Sequence, residues 1–195
     1  MTAYESAVAA IDAANADDPN RIVVRGTEQP LALIHGQLAV EWVEQLVPDA
    51  DDSLRLAARA HHLRRWELAR TDYPEGRAGY LRWKRDQKQR HASDVEGLLR
   101  NAGYTDEVIE RVQALIRRDR LASDPDAQAV EDAACLVFVE TQLTSTAAKL
   151  DHVHMLDVIR KTARKMSPAA LDAVASIPLT ADESALLREA LTPDP

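Results

Sequence analysis

The stretch from Ala58 to Glu67 reads Ala-Arg-Ala-His-His-Leu-Arg-Arg-Trp-Glu, and it sets two imidazoles side by side on a predicted helix. His61 lies one helical repeat after Leu54, on the apolar face, whereas His62 points about 100° away around the helix. Imidazole is the commonest side-chain ligand for transition metals, and a buried pair needs a partner that offsets its desolvation. A His-His pair also occurs as one core and one surface histidine. A metal site therefore requires further ligands elsewhere in the chain.

The composition predicts a helical protein. Hydrophobic residues make up 46% of the chain and aromatic residues only 4%, and Ile22–Val24 is the one strand candidate. A chain of 195 residues suits one domain. Within it, residues 1–26 are expected to form a scaffold helix and turn, and residues 192–195 a frayed tail. We therefore predict an all-α, single-domain helical bundle over residues 1–195.

The charge and cysteine content limit the compartment and the partners. Cys135 is the one cysteine, which excludes a disulfide within the chain and fits a reducing compartment. The N-terminus lacks a basic segment, and the longest uncharged run, Gln29–Val40, is too short to span a membrane. A net charge of −8 argues against binding to duplex nucleic acid, which needs excess Lys and Arg. We expect a soluble cytoplasmic protein that contacts no membrane; its oligomeric state is left open.

Capping patterns predict where the helices begin and end. Predicted helices begin at the capping box Thr2–Glu5, at Thr27–Pro30, near Asp51–Ser53, at Arg77, at Thr105, at Asp124-Pro125, at Lys149 and at the capping box Thr180–Glu183. Gly103 follows the predicted helix Arg77–Ala102, at a position where glycine relieves a left-handed conformation. Leu31, His35, Leu38 and Trp42 share one face of the helix predicted to end before Pro48. His35 is therefore expected to lie among apolar neighbours.

The segment from Arg59 to Arg90 is basic and aromatic. It holds ten Lys or Arg residues against four acids, and four of the eight aromatic residues of the chain. A phosphate-bearing ligand with a stackable ring suits such a segment. The candidate ligand-binding residues are Arg65, Arg77, Trp83, Lys84 and Lys88. The alternative is a solvated charged face whose aromatic rings belong to the core.

Two acids, Glu131 and Asp132, lead directly into the apolar run Ala133–Val139. If buried, they would need a compensating cation. They are equally consistent with solvent-facing positions in the first turns of a helix, where acids favour the dipole.

The order His35, then His61-His62, then Glu131-Asp132 resembles the HD-domain superfamily. That resemblance implies an all-helical fold, a divalent metal and hydrolysis of phosphate esters of nucleotides. The chain also looks like an uncharacterised HD-like family of bacterial and fungal proteins of unknown function. Four runs carry this second resemblance: Ala60–Trp66, Arg77–Trp83, Glu131–Phe138 and Arg160–Ser167.

The superfamily pattern implies roles for individual residues. His35 matches its first metal ligand, His61 the histidine of its His-Asp pair, and Asp132 its last carboxylate. His62 stands where the superfamily has Asp, which shifts metal preference from Mg²⁺ toward Mn, Fe, Co, Ni or Zn. On this pattern Arg77, Lys84 and Lys88 would neutralise phosphate. Glu131 and His91 are candidates for proton transfer.

The resulting expectation is a metal-dependent phosphohydrolase that acts on a nucleotide or a similar small phosphate ester. The alternative is a non-catalytic HD-like module that binds a ligand or regulates. In that alternative His35, His61, His62 and Asp132 would close a tetrahedral structural metal site that leaves no position for water.

Overall fold

The computed structural model describes residues 1–192, and it shows the all-α helical bundle that the composition predicts. The chain divides into two compact units, Met1–Val130 and Glu131–Pro195. Of the predicted frayed tail, residues 193–195 lie outside the described residues. No helix within residues 1–192 is both long and apolar enough to cross a membrane.

The first unit contains five helices within its bounds and the start of a sixth. They are α1 (Ala3–Ala16), α2 (Leu31–Leu46), α3 (Asp52–Ala60), α4 (Gly76–Asn101), α5 (Asp106–Arg117) and α6 (Pro125–Ala147), which continues into the second unit. Two short 3-10 turns, Arg65–Glu67 and Arg70–Asp72, lie between α3 and α4. Helix α4 packs on α5, α5 on α3, and α3 on α2.

The described part of the second unit contains α7 (His152–Ala163), α8 (Pro168–Ala173) and α9 (Ala181–Leu191), with a 3-10 turn at Val174–Ser176. Helix α7 packs on α9. The predicted helix Lys149–Lys165 is therefore shorter at both ends. It starts later because Asp151 caps α7 by accepting a hydrogen bond from the backbone N–H of His154.

Side-chain caps start several helices where the sequence predicts them, whereas Thr105 makes no side-chain cap hydrogen bond at the start of α5. Thr2 and Glu5 form a capping box on α1, and Thr180 and Glu183 form another on α9. Asp51 caps α3 by accepting a hydrogen bond of 2.8 Å from the N–H of Leu54. After the C-terminal end of α4, Gly103 has a φ of +94°, as expected for a glycine that follows a helix.

A β-hairpin precedes α2, and here the prediction that Thr27–Pro30 opens a helix is wrong. Strand β1 (Arg21–Val24) pairs antiparallel with β2 (Thr27–Pro30), with Val24 opposite Thr27. The two turn residues, Arg25 and Gly26, have φ values of 50° and 81°, the left-handed conformation that tight hairpins require. Glycine at the second turn position favours the hairpin over an early start of α2.

Helices α2 and α3 approach closely because Gly36 has no side chain. A Cβ atom at Gly36 would lie 2.5 Å from the carbonyl oxygen of Arg59. This contact brings the α2 residue beside it, His35, next to the chain that leaves α3.

Candidate functional site

Helix α3 ends at Ala60, and the turn that follows folds His62 back against His61. The two rings lie 4.0 Å apart between centroids. The chain reverses at Arg64, whose φ of 49° and ψ of 38° are left-handed, and whose N–H donates to Asn15 Oδ1 at 2.9 Å. The prediction that the helix continues through His61 and His62 is therefore wrong. The turn, rather than helical spacing, sets the angle between the two imidazoles.

Two further histidines join this pair. His35 comes from α2, and its Nδ1 lies 3.3 Å from Nδ1 of His62. His91 comes from α4, and its ring centroid lies 6.2 Å from that of His62. We call His35, His61, His62 and His91 the histidine cluster. His62 is half-buried at its centre, while the other three are buried.

Backbone carbonyls fix the tautomers of two of these rings. Nδ1–H of His61 donates to the carbonyl of Ala58 at 2.7 Å, and Nδ1–H of His91 donates to that of Leu63 at 2.7 Å. Each neutral ring therefore carries its lone pair on Nε2. Both Nε2 atoms are buried, and neither has a hydrogen-bond partner among the described residues.

All four rings are held in the neutral form. Burial, followed by the charge of Arg65, lowers the pKa of His35 to about 4 and that of His91 to about 3. Burial also lowers the pKa of His61 and His62 well below the ordinary value, with added repulsion from Arg118 for His61 and from His61 for His62. Neutral imidazoles can accept a hydrogen bond or bind a metal ion at neutral pH.

Arg65 places a positive charge next to the cluster. Its guanidinium lies over the Trp83 ring, 4.7 Å from the centroid, and burial lowers its pKa. Its charge lowers the pKa of His35, His62 and His91, so it lies close enough to act on three of the four rings. Among the described residues no carboxylate forms an ion pair with Arg65. A guanidinium in that position favours an anionic ligand.

Trp83, predicted to contact a ligand, supports Arg65. One face of its ring is covered by the guanidinium, and its indole N–H donates to the carbonyl of Leu68 at 3.0 Å. Lys84 and Lys88 precede His91 by seven and three residues on α4, so they share its side of the helix. Nζ of Lys84 lies 5.6 Å from the centroid of Tyr80. The remaining predicted ligand-binding residue, Arg77, is exposed in the first turn of α4.

The two predicted acids belong to the second unit, where both are buried. Asp132 Oδ1 accepts a hydrogen bond of 2.8 Å from the N–H of Ser167, and Glu131 Oε1 lies 3.9 Å from Nζ of Lys165. The sequence left open whether these acids are buried against a cation or face solvent. Glu131 is buried against a cation, Lys165. The predicted roles of Asp132 in metal binding and of Glu131 in proton transfer stay predictions.

The chemistry of the cluster suits a metal ion, although the rings would have to move to share one. Across residues 1–192, no three His, Cys, Asp or Glu side chains stand in a metal-binding arrangement. One ion held by three of the histidines therefore requires at least one ring to turn. Metal-binding histidines commonly donate one ring N–H to a carbonyl and bind the ion with the other nitrogen. The rings of His61 and His91, each with Nδ1–H on a carbonyl and Nε2 unpartnered, have this arrangement.

The sequence predicted that His91 lies near the site, as a residue for proton transfer. The structure makes it a fourth member of the cluster, and a pKa of about 3 favours a ligand over a proton donor. The sequence signal for its position was its helical spacing from Lys84 and Lys88, which puts the three residues on one side of α4. Asn15 and Gln87 were missed, because nothing local marks a buried amide that holds a distant turn.

Comparison with known proteins gives a family without an activity. No curated protein and no solved structure matches the chain. A family described as "Domain of unknown function (DUF4202)" matches residues 5–187, nearly the whole chain. The chain therefore belongs to this family of unknown function.

Proposed function

We propose that this protein is a metal-dependent phosphohydrolase acting on a nucleotide or a similar small phosphate ester, with the histidine cluster as its metal site. The observation that carries the proposal is the pair of buried, unpartnered Nε2 atoms on His61 and His91. Leaving a buried polar atom without a partner costs about 1–3 kcal/mol, so two in one cluster call for a ligand that accepts lone pairs. The HD-like order of the histidines supports the same chemistry.

The donor set favours a transition metal. Imidazole nitrogens suit Zn, Ni, Co, Fe and Mn, whereas Mg²⁺ prefers oxygen ligands. The 3.3 Å between Nδ1 of His35 and Nδ1 of His62 is also close to the spacing of two nitrogens that share a tetrahedral ion at about 2.0–2.1 Å. We assign the metal to the cluster of His35, His61, His62 and His91 and keep Asp132 as a predicted ligand. In the enzyme only three protein ligands would bind the ion at once, so that water takes the fourth position.

The anionic part of the substrate is assigned to Arg65, Lys84 and Lys88. A cation bound at the cluster would be repelled by Arg65, and an anion bound beside both would remove that repulsion. Metal and phosphate should therefore bind cooperatively. Once bound, the metal would polarise a phosphoryl oxygen and make a nearby water more acidic. Arg65 would orient the phosphate against it, and Glu131 remains the predicted proton acceptor.

Metal content tests the site first. Protein purified without chelator or nickel resin should contain a transition metal in stoichiometric amount, and His61→Ala and His91→Ala should each lose it. His154→Ala is the matched control, since His154 is exposed and bonded only to Asp151 within the described residues. Asp132→Asn tests the predicted carboxylate ligand separately. Full metal content in both cluster variants would overturn the site.

Activity and coupling test the function. Nucleotides and phosphomonoesters, supplied with Mn²⁺, Co²⁺, Ni²⁺ or Mg²⁺, should be turned over by the protein and not by His61→Ala. Calorimetric titration with inorganic phosphate should show tighter binding when metal is present. In Arg65→Gln this coupling should weaken to the direct attraction between metal and phosphate, while metal alone binds at least as tightly, because the repulsive charge is gone. Turnover that persists in His61→Ala would reject the proposal.

A second candidate is the non-catalytic module with a structural metal. It is favoured by one observation, the fourth imidazole, because four protein ligands complete a tetrahedral site. Both candidates predict metal loss in His61→Ala. They differ in that the module would raise its melting temperature with nucleotide but never consume it.

A further inference from the structure

The second unit contains an apolar pocket of about 330 Å³ that the proposed function does not use. Helices α6, α7 and α9 and the chain around α8 supply its walls. The lining residues are Phe138, Val139, Leu143, Ile159, Thr162, Ala163, Met166, Leu171, Val174, Leu187 and Leu191. Thr162 is the one polar member, and its hydroxyl already donates to the carbonyl of Val158 at 2.9 Å.

The walls decide what part of a ligand the pocket can take. No lining side chain has an N–H or O–H donor left to offer, so an anionic or carbonyl group inside would lose its hydration without compensation. Apolar cavities of about 150 Å³ already bind a small hydrocarbon, and this one is larger. At roughly 30 Å³ for a group the size of a water molecule, it has room for a chain of about ten methylene groups.

Two arginines lie next to residues that line the exposed edge of the pocket, which the exposed Asp172 also borders beside Leu171. Leu191, 48% exposed, and Leu171, 38% exposed, place the opening at the surface. Arg188 is exposed three residues before Leu191, on the same side of α9, and the exposed Arg164 directly follows Ala163 at the end of α7. Neither arginine forms an ion pair with a described carboxylate, although the charge of Arg164 helps to lower the pKa of Asp157, which Lys161 binds.

We propose that this pocket binds an unbranched medium-chain acyl group whose anionic head contacts Arg164 and Arg188. The hydrocarbon enters among the apolar walls, and the carboxylate or phosphate stays at the exposed edge. This ligand is separate from the substrate of the histidine cluster, and its binding requires neither metal nor turnover.

Decanoate, decanol and butanoate separate the contributions of tail and head. Decanoate should raise the melting temperature of the metal-free protein and bind in a calorimetric titration, whereas butanoate should do neither. Decanol should bind more weakly than decanoate. In Arg188→Gln the affinity for decanoate should fall by up to about fivefold, the range of an exposed ion pair, while decanol is unaffected.

Filling the pocket provides the decisive comparison. Ala163→Leu places extra volume against the walls and should abolish the response to decanoate, measured against that variant's own melting temperature. Ala185→Leu makes the same change at an exposed position of α9 and should keep the full response. Equal responses in the two variants, or none in the unaltered protein, would overturn the pocket. Equal binding of decanoate and decanol would overturn the anionic head.

Discussion

His35 and His91 are buried bases, and they should make the metal-free protein sensitive to acid. Their pKa values of about 4 and about 3 lie below the value near 6.5 of an unfolded histidine. Since the unfolded chain takes up protons that the folded chain does not, the free energy of unfolding is greatest above pH 6.5. It should fall as the pH drops from there toward 4, by about 1.4 kcal/mol per pH unit for each histidine.

Urea unfolding of metal-free protein between about pH 7.5 and pH 5 measures this slope. His91→Asn keeps a donor for the carbonyl of Leu63 and removes the titrating ring, so its slope should be smaller by about one proton. His154→Asn, at an exposed position, should leave the slope unchanged. A profile that is flat across this range would show that the cluster is not held neutral by burial.

Residue by residue, the sequence predicted burial better than it predicted contacts. His35 was placed inward by the spacing of Leu31, Leu38 and Trp42, and it is 2% exposed. What the spacing could not supply was the partner of each ring, since Leu63 reaches His91 across 28 residues of chain. Such pairings depend on tertiary packing, which helical periodicity does not encode.

At the scale of the element, α4 holds the loop between α3 and itself in place. Gln87 Nε2 donates to the carbonyls of Arg65 and Leu68, both at 2.9 Å. One helical turn before Gln87, Trp83 donates to the carbonyl of Leu68, and one turn after it, His91 donates to that of Leu63. Replacing Gln87 by Leu removes both bonds and should cost about 1–3 kcal/mol of unfolding free energy.

Amide hydrogen exchange and urea unfolding check this prediction together. Exchange in Gln87→Leu should increase most over residues 63–68, next to the histidine cluster. Gln89→Leu, at an exposed position on the same helix, should change neither stability nor exchange there. Uniformly faster exchange in Gln87→Leu would mean that Gln87 stabilises the whole unit rather than the loop.

Element boundaries were predictable where a local side chain sets them. The capping boxes at Thr2 and Thr180 are read directly from the sequence, and both helices start where they predict. The end of α3 was not predictable, because Ala58–Arg64 contains neither glycine nor proline. The turn after that boundary is held instead by Asn15, 49 residues before Arg64 in the chain.

For the whole molecule, the distribution of tryptophan provides a direct test of how the two units unfold. Trp42, Trp66 and Trp83 are the three tryptophans of the chain, and all lie in the first unit. Metal at about 100 times its Kd should stabilise that unit by about 2.7 kcal/mol. Its melting temperature, followed by fluorescence, should then rise by roughly 5–10 °C.

Far-UV circular dichroism reports the helices of both units. If residues 1–195 form the single cooperative domain that the length predicts, the dichroism and fluorescence transitions should coincide with and without metal. A dichroism transition that separates from the fluorescence on adding metal would contradict the single-domain prediction. His62→Ala should remove the metal effect from both signals.

Arg64 shows where this molecule gives up stability for a local shape. Its left-handed backbone, which returns His62 to His61, costs an L-residue about 1 kcal/mol or more and costs glycine almost nothing. A library screened for thermal resistance alone should thus enrich Gly at position 64. If a library screened for metal retention keeps Arg there instead, the Arg64 side chain itself contributes to metal binding. Arginine would then be retained at this position although it lowers the stability of the fold.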